Sequence, residues 1–132
     1  MSIPGCVDNA MRVLIVDDSA DVRFMLRFLL EEAGMTVDEA TSGQAALERL
    51  NGAEADCAWD VVVLDQRMPG MTGLEVVRAL ADGQTEVGMI LFSAYLHPTL
   101  QAEAEQLGAT TVVKTELEVL VESVQGLARV AA

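Results

Sequence analysis

Lysine is nearly absent from this sequence. Of 132 residues, 8 are basic and 21 acidic, giving a formal net charge of -13, and every basic residue except Lys114 is arginine. Nucleic-acid backbones are gripped by clustered lysines and arginines, so this balance argues against direct nucleic-acid binding. Cysteine is scarce too. Cys6 and Cys57 lie far apart and form no CxxC or metal-type pair, so both read as free thiols rather than a disulfide framework. No stretch approaches the roughly 20 uninterrupted apolar residues of a membrane helix. The N-terminus also lacks the charged-then-apolar pattern of a secretion signal. The expected location is cytoplasmic, with no membrane partner. The glycines form neither GxGxxG nor GxxxxGK[ST], which counts against a nucleotide cradle.

What is present is ample apolar material, 52% of the chain, enough for the core of one domain. Residues 1–10 carry Pro4 and Gly5 without periodicity and read as a flexible lead-in; residues 11–130 read as the domain. Strands are expected at Arg12 to Val16, Thr36 to Ala40, Val61 to Leu64, Val87 to Phe92 and Thr110 to Val113. Helices alternate with them. Ser19 caps the first, with Val22, Met25, Leu26, Leu29 and Ala33 on its inward face and Gly34 at its end. Ser42 caps the second and Thr72 the third, whose Leu74, Val77 and Ala81 face inward; Pro98 opens a fourth that ends at Gly108. The fifth shows Leu117, Leu120, Val121 and Val124 at helical spacing. Strict β-α alternation with short connections implies right-handed crossovers and an α/β fold, a parallel sheet with helices on both faces.

Strands buried on both faces are continuous apolar runs whose last residues emerge at the carboxyl edge, where ligands of open α/β sheets bind. Asp17 and Asp18 follow Val13-Leu14-Ile15-Val16, Asp65 follows Val61-Val62-Val63-Leu64, and Lys114 closes the last strand. Crowded carboxylates raise one another's pKa unless a cation lies between them, and hard oxygen ligands suit Mg²⁺ or Mn²⁺. Such a metal plus an ammonium suits a transferring phosphoryl group. A single aspartate in such a place is most often a turn former, but three with one lysine make that explanation strained.

Four segments in order, VLIVDDS (Val13 to Ser19), LDQRMPGMTG (Leu64 to Gly73), the Ser93-Ala94 pair and GATTVVK (Gly108 to Lys114), resemble the receiver domain of bacterial two-component response regulators, of the chemotaxis type. The resemblance covers nearly everything after residue 10. It implies a (βα)5 doubly wound, five-stranded parallel sheet in the flavodoxin-like order 2-1-3-4-5. It further implies that Asp65 is the phosphoacceptor, attacking a phosphohistidine to form an acyl phosphate. Asp18, Asp65 and the backbone carbonyl of Arg67 would bind Mg²⁺ directly and Asp17 through a water. Lys114 would contact phosphoryl oxygens, Ser93 would donate its hydroxyl, and Ala94 would leave the entry path open. A receiver catalyses only its own phosphorylation and dephosphorylation, so it is not an enzyme in the ordinary sense. Tyr95 and Arg67 fall where side chains border the phosphoryl group in this family.

The chain departs from the family at Thr111, where most members carry the Tyr or Phe of the rotamer switch, and at Thr115, where proline usually follows the lysine. Both fall on the switch, not on the phosphorylation chemistry. The implied partner is a sensor histidine kinase or histidine phosphotransfer protein. Phe24 and Phe28, one turn apart and opposite the inward face of the first helix, are the expected docking pair. Glu103, Glu105, Glu116, Glu118 and Glu122, with Arg129 the only arginine, leave the fourth and fifth helices without the cations that paired-charge dimers use. A stand-alone relay and a domain cut from a longer chain both remain open. One rival is a pseudo-receiver acting as a constitutive binding module, favoured by Thr111. Another is an aspartyl phosphatase, whose DxD motif Asp17-Asp18-Ser19 does not fit.

Overall fold

A computed structural model describes residues 11–52, 59–83 and 86–131. Cys6, Cys57, the lead-in over 1–10 and the side chain of Arg129 lie outside those described residues. The elements are β1 (Arg12–Val16), α1 (Ala20–Glu32), β2 (Thr36–Ala40), α2 (Gly43–Leu50), β3 (Val61–Asp65), α3 (Gly73–Asp82), β4 (Gly88–Ser93), α4 (Pro98–Gln106), β5 (Thr110–Val113) and α5 (Leu117–Ala131). All strand pairs are parallel, in the order β2-β1-β3-β4-β5. The expected fold and strand order are those found.

Why these runs form strands follows from period two. Leu14, Val16, Val62, Leu64 and Leu91 face a core closed by Ala46 of α2, Val76, Val77 and Leu80 of α3 and Ala104 of α4. Val13, Ile15, Val61, Val63, Ile90 and Phe92 face the opposite core, closed by Leu26 and Leu30 of α1 and by Leu120 and Val124 of α5. Each fully buried aliphatic side chain contributes about 1.5–3 kcal/mol relative to leaving it in water. The strands in the middle of the sheet are therefore the most strongly held part of the molecule.

The expected caps are present: Ser19, Ser42 and Thr72 each accept a backbone N–H from the first turn of their helices. Gly34 and Gly108, at φ +92° and +93°, turn the chain after α1 and α4 as L side chains rarely can. Two helix faces differ from expectation. On α1 the buried residues are Leu26 and Leu30, while Met25 is 37% exposed and Ala33 lies past the helix end. On α3 they are Gly73, Val76, Val77 and Leu80, with Ala81 exposed. Both helices carry more apolar residues than one face holds, so contact with the sheet selects the buried stripe.

Candidate functional site

The strand ends in the centre of the sheet are level. Val16 pairs with Leu64, Asp65 with Phe92 and Ser93 with Val113. The residues leaving β1, β3, β4 and β5 thus meet at one carboxyl edge, around the point where strand order reverses between β1 and β3. Asp17, Asp18 and Asp65 each bring a carboxylate oxygen within 4.8 Å of the others. Asp17 and Asp65 are buried and Asp18 is exposed. From β5, Lys114 reaches across β4 to lie 2.9 Å from Asp65 Oδ1 and 3.2 Å from Asp17 Oδ2.

Two of the three carboxylates, Asp17 and Asp65, share the Lys114 ammonium, and the charges respond accordingly. Burial pushes the Asp65 carboxyl above its ordinary value; the Lys114 hydrogen bond opposes this, and the neighbouring Asp17 and Asp18 charges add to the rise. For Lys114 burial works against the charge, but the hydrogen bond with Asp65 and the nearness of Asp17 and Asp65 outweigh it, and its pKa is raised. The cluster is short of positive charge. Its hard oxygen donors, close together and at the edge of solvent, fit a divalent cation of the Mg²⁺ or Mn²⁺ kind.

Local bonds hold these groups. Asp17 Oδ1 accepts the N–H of Ser19 at 2.9 Å. The main-chain N–H of Lys114 donates to the carbonyl of Ser93 at 2.8 Å, joining the ends of β5 and β4. The buried Ser93 hydroxyl donates to the carbonyl of Tyr95 at 3.0 Å and accepts that residue's N–H at 3.4 Å. Ala94 and Arg67 are exposed beside them. Asp18, Arg67, Ser93 and Tyr95 line one cleft of about 740 Å³ whose apolar wall includes Met68, Pro69 and Leu100. Every expected site residue lies at this edge.

Sequence reading did not single out the clamp that holds α3 against it. The carbonyl of Gln66 accepts the N–H of Gly73 at 3.1 Å and Gln66 Oε1 accepts that of Leu74 at 2.8 Å, while Thr72 and Glu75 form a capping box. A Cβ on Gly73 would stand 2.5 Å from the carbonyl oxygen of Asp65 and 2.6 Å from Leu91 Cδ1. A glycine directly after a capping threonine was the available signal; what it touches lies eight residues away in sequence.

Residues 13–125 match the family model described as the response regulator receiver domain. FixJ, a transcriptional regulatory protein of Bradyrhizobium diazoefficiens, is 32% identical over 106 residues, 80% of this chain and 50% of that protein. Sporulation initiation phosphotransferase F of Bacillus subtilis is 29% identical over 100 residues, 76% of this chain and 77% of that one. The chain spans about half, or less, of the length of the transcriptional regulators it matches. Among solved structures, the TrrA response regulator of Thermotoga maritima in complex with Mg(2+)-BeF superposes with a TM-score of 0.76 at 31% identity, covering 89% of this chain and 98% of that one. Vibrio cholerae CheY4 gives 0.77 at 31% identity, with coverage of 89% and 98%.

Proposed function

The chain belongs to the response regulator receiver domain family, and on that premise we propose that residues 11–130 accept a phosphoryl group on Asp65 from a histidine kinase or histidine phosphotransfer protein. The observation that carries this is the position of Asp65, buried between two like charges and one cation at the sheet edge, with Asp18 of the same cluster and the adjacent Gln66 lining the cleft. An Asp65 carboxylate oxygen attacks phosphorus, the bond from phosphorus to the imidazole nitrogen breaks with its electron pair going to that nitrogen, and an acyl phosphate forms as the histidine, protonated on its other ring nitrogen, leaves as neutral imidazole. Asp17, Asp18, Asp65 and the carbonyl of Arg67 would hold Mg²⁺, in keeping with the Mg(2+)-BeF complex of the Thermotoga relative. When bound, that ion supplies charge neutralisation to the transferring group.

Lys114 keeps its ammonium beside Asp65 and is placed to take up phosphoryl oxygens. The Ser93 hydroxyl, now closed on its own loop, needs one rotation to donate to the phosphoryl group instead. That exchange is a differential contact of the sort a conformational change requires. The output passes through the helical surface. Helix α4 fully buries only Ala104 and is the least anchored helix beside the cleft.

Incubation with acetyl phosphate and Mg²⁺ followed by intact-mass measurement tests the reading. One phosphoryl adduct is expected, absent in chelator and absent in Asp65→Asn. No adduct would favour a pseudo-receiver, the reading that Thr111 supports. Continuing turnover of small phosphate esters would indicate a phosphatase.

Phe24 and Phe28, 75% and 59% exposed, form with Met25 an apolar stripe on the outer face of α1. We take it as the docking surface for the phosphodonor protein. Replacing both phenylalanines with alanine is expected to slow transfer from the donor protein at least tenfold, while phosphorylation by acetyl phosphate, which needs no docking, stays unchanged. Folding stability should move by no more than about 0.5 kcal/mol, as for other exposed positions. Equal loss with both donors would remove the docking assignment.

A further inference from the structure

We propose that Arg23 is a positioning residue for the acidic cluster, holding the Asp17–Asp18 peptide in the orientation that divalent-cation binding requires; this rests on the metal reading given above. Arg23 lies in the first turns of α1, and its Nη1 donates to the main-chain carbonyl of Asp17 at 2.7 Å. Its Nε donates to Glu39 Oε1 at 2.9 Å, and Glu39 Oε2 accepts from Arg27 Nε at 2.6 Å. Glu39 stands on β2, next to Ala40, whose carbonyl accepts the N–H of Asp17 at 3.3 Å. The main chain of Asp17 is thus gripped on both sides, its amide by the neighbouring strand and its carbonyl by a guanidinium that is itself anchored to that strand.

The grip matters most for Asp18. The Asp17 carboxylate is already committed to the Ser19 N–H and to Lys114, whereas Asp18 is exposed. The direction in which Asp18 leaves the backbone is set by the peptide plane that the Asp17 carbonyl belongs to. A planar guanidinium with two donors fixed on two acceptors locks that plane; a lysine could satisfy only one of them at a time.

Charge and position make opposite predictions, which isolates the role. Arg23 is a cation beside the cluster, so if only its charge mattered, removing it would deepen the negative potential and tighten cation binding. If it positions the peptide, removing it weakens binding.

The test is calorimetric titration of the full chain with Mn²⁺ alone, alongside thermal melts. Arg23→Ala is expected to raise the Mn²⁺ Kd about tenfold or more, the usual effect of losing an outer partner of a metal site. Arg23→Lys should fall between it and the parent. Arg27→Ala, which removes the same charge without touching the loop, should stay within about twofold because that residue is more exposed and screened. A parent-like or tighter Kd in Arg23→Ala would overturn the proposal. If that variant does not fold, a parent-like Kd in Arg23→Lys would overturn it equally. Absence of saturable binding by the parent, or binding undiminished in Asp65→Asn, would instead overturn the metal reading, and this inference with it.

Discussion

Replacing Lys114 with alanine is expected to slow formation of the Asp65 adduct from acetyl phosphate by about 10²- to 10³-fold, the usual cost of removing one preorganised donor from a charged transition state. Lys114 is the only cation in contact with both Asp17 and Asp65 among the described residues. Without it the attacking oxygen gains a proton more readily and the phosphoryl charge meets two uncompensated carboxylates. Lys114→Arg should restore little, because a compact ammonium at 2.9 Å and a wide guanidinium fork do not occupy the same space.

Stability follows with a definite sign. The raised pKa of Lys114 means that its pairing stabilises the fold fully below the ordinary lysine value of about 10.4 and that this is lost as pH rises through the raised value. In the alanine variant, Asp65 loses the hydrogen bond that opposes its raised pKa and holds its proton to higher pH than in the parent. The stability gap should therefore be widest near neutral pH and close as pH falls through the raised Asp65 value. Time courses by intact mass and melts at several pH values check both statements. Adduct formation within about threefold of the parent would leave no transition-state role for Lys114.

Gly73→Ala should damage both fold and chemistry although it places a better helix former in α3. Alanine is favoured over glycine by about 1 kcal/mol inside a helix, and by less at a first position. Against that, the added Cβ would sit 2.5 Å from the backbone oxygen of Asp65 and 2.6 Å from a methyl of Leu91, which is fully buried. The leucine methyl can give way only into a filled core; the backbone oxygen cannot without moving the end of β3. Overpacking of this kind costs about 1–3 kcal/mol. A net loss of roughly 2 kcal/mol is expected in urea unfolding. The larger effect falls on Asp65 itself, since a displacement of about 1 Å at a reacting group can cost on the order of 10²-fold in rate. An adduct rate equal to the parent's, in a variant of unchanged stability, would show that α3 yields freely and that the close packing at Gly73 is unimportant.

How much of the site was legible in the sequence depends on the range of the cause. Asp17, Asp18, Asp65, Ser93 and Lys114 each end a readable apolar strand. Parallel alternation alone sends all five to the same edge, so their convergence required no knowledge of side-chain contacts. The Gln66–Gly73 clamp and the bonds of Arg23 gave no comparable signal. Gln66 looks like any residue between a strand and a turn, and the acceptors of Arg23 lie apart in sequence, one just after β1 and the other on β2.

By itself, then, the chain's local pattern decided which segments leave water. Val13 to Val16 and Val61 to Leu64 must be buried on both faces, and the caps at Ser19, Ser42 and Thr72 follow from orphan N–H groups at helix starts. The tertiary structure alone decided how the helices are rotated, burying Leu30 and exposing Met25 on α1, and that Lys114 spans the 97 positions to Asp17. The physical reason is that periodicity records exposure along one segment. The azimuth of a helix and the distance between strand ends are set by what the sheet offers it, after the crossovers have brought distant residues side by side.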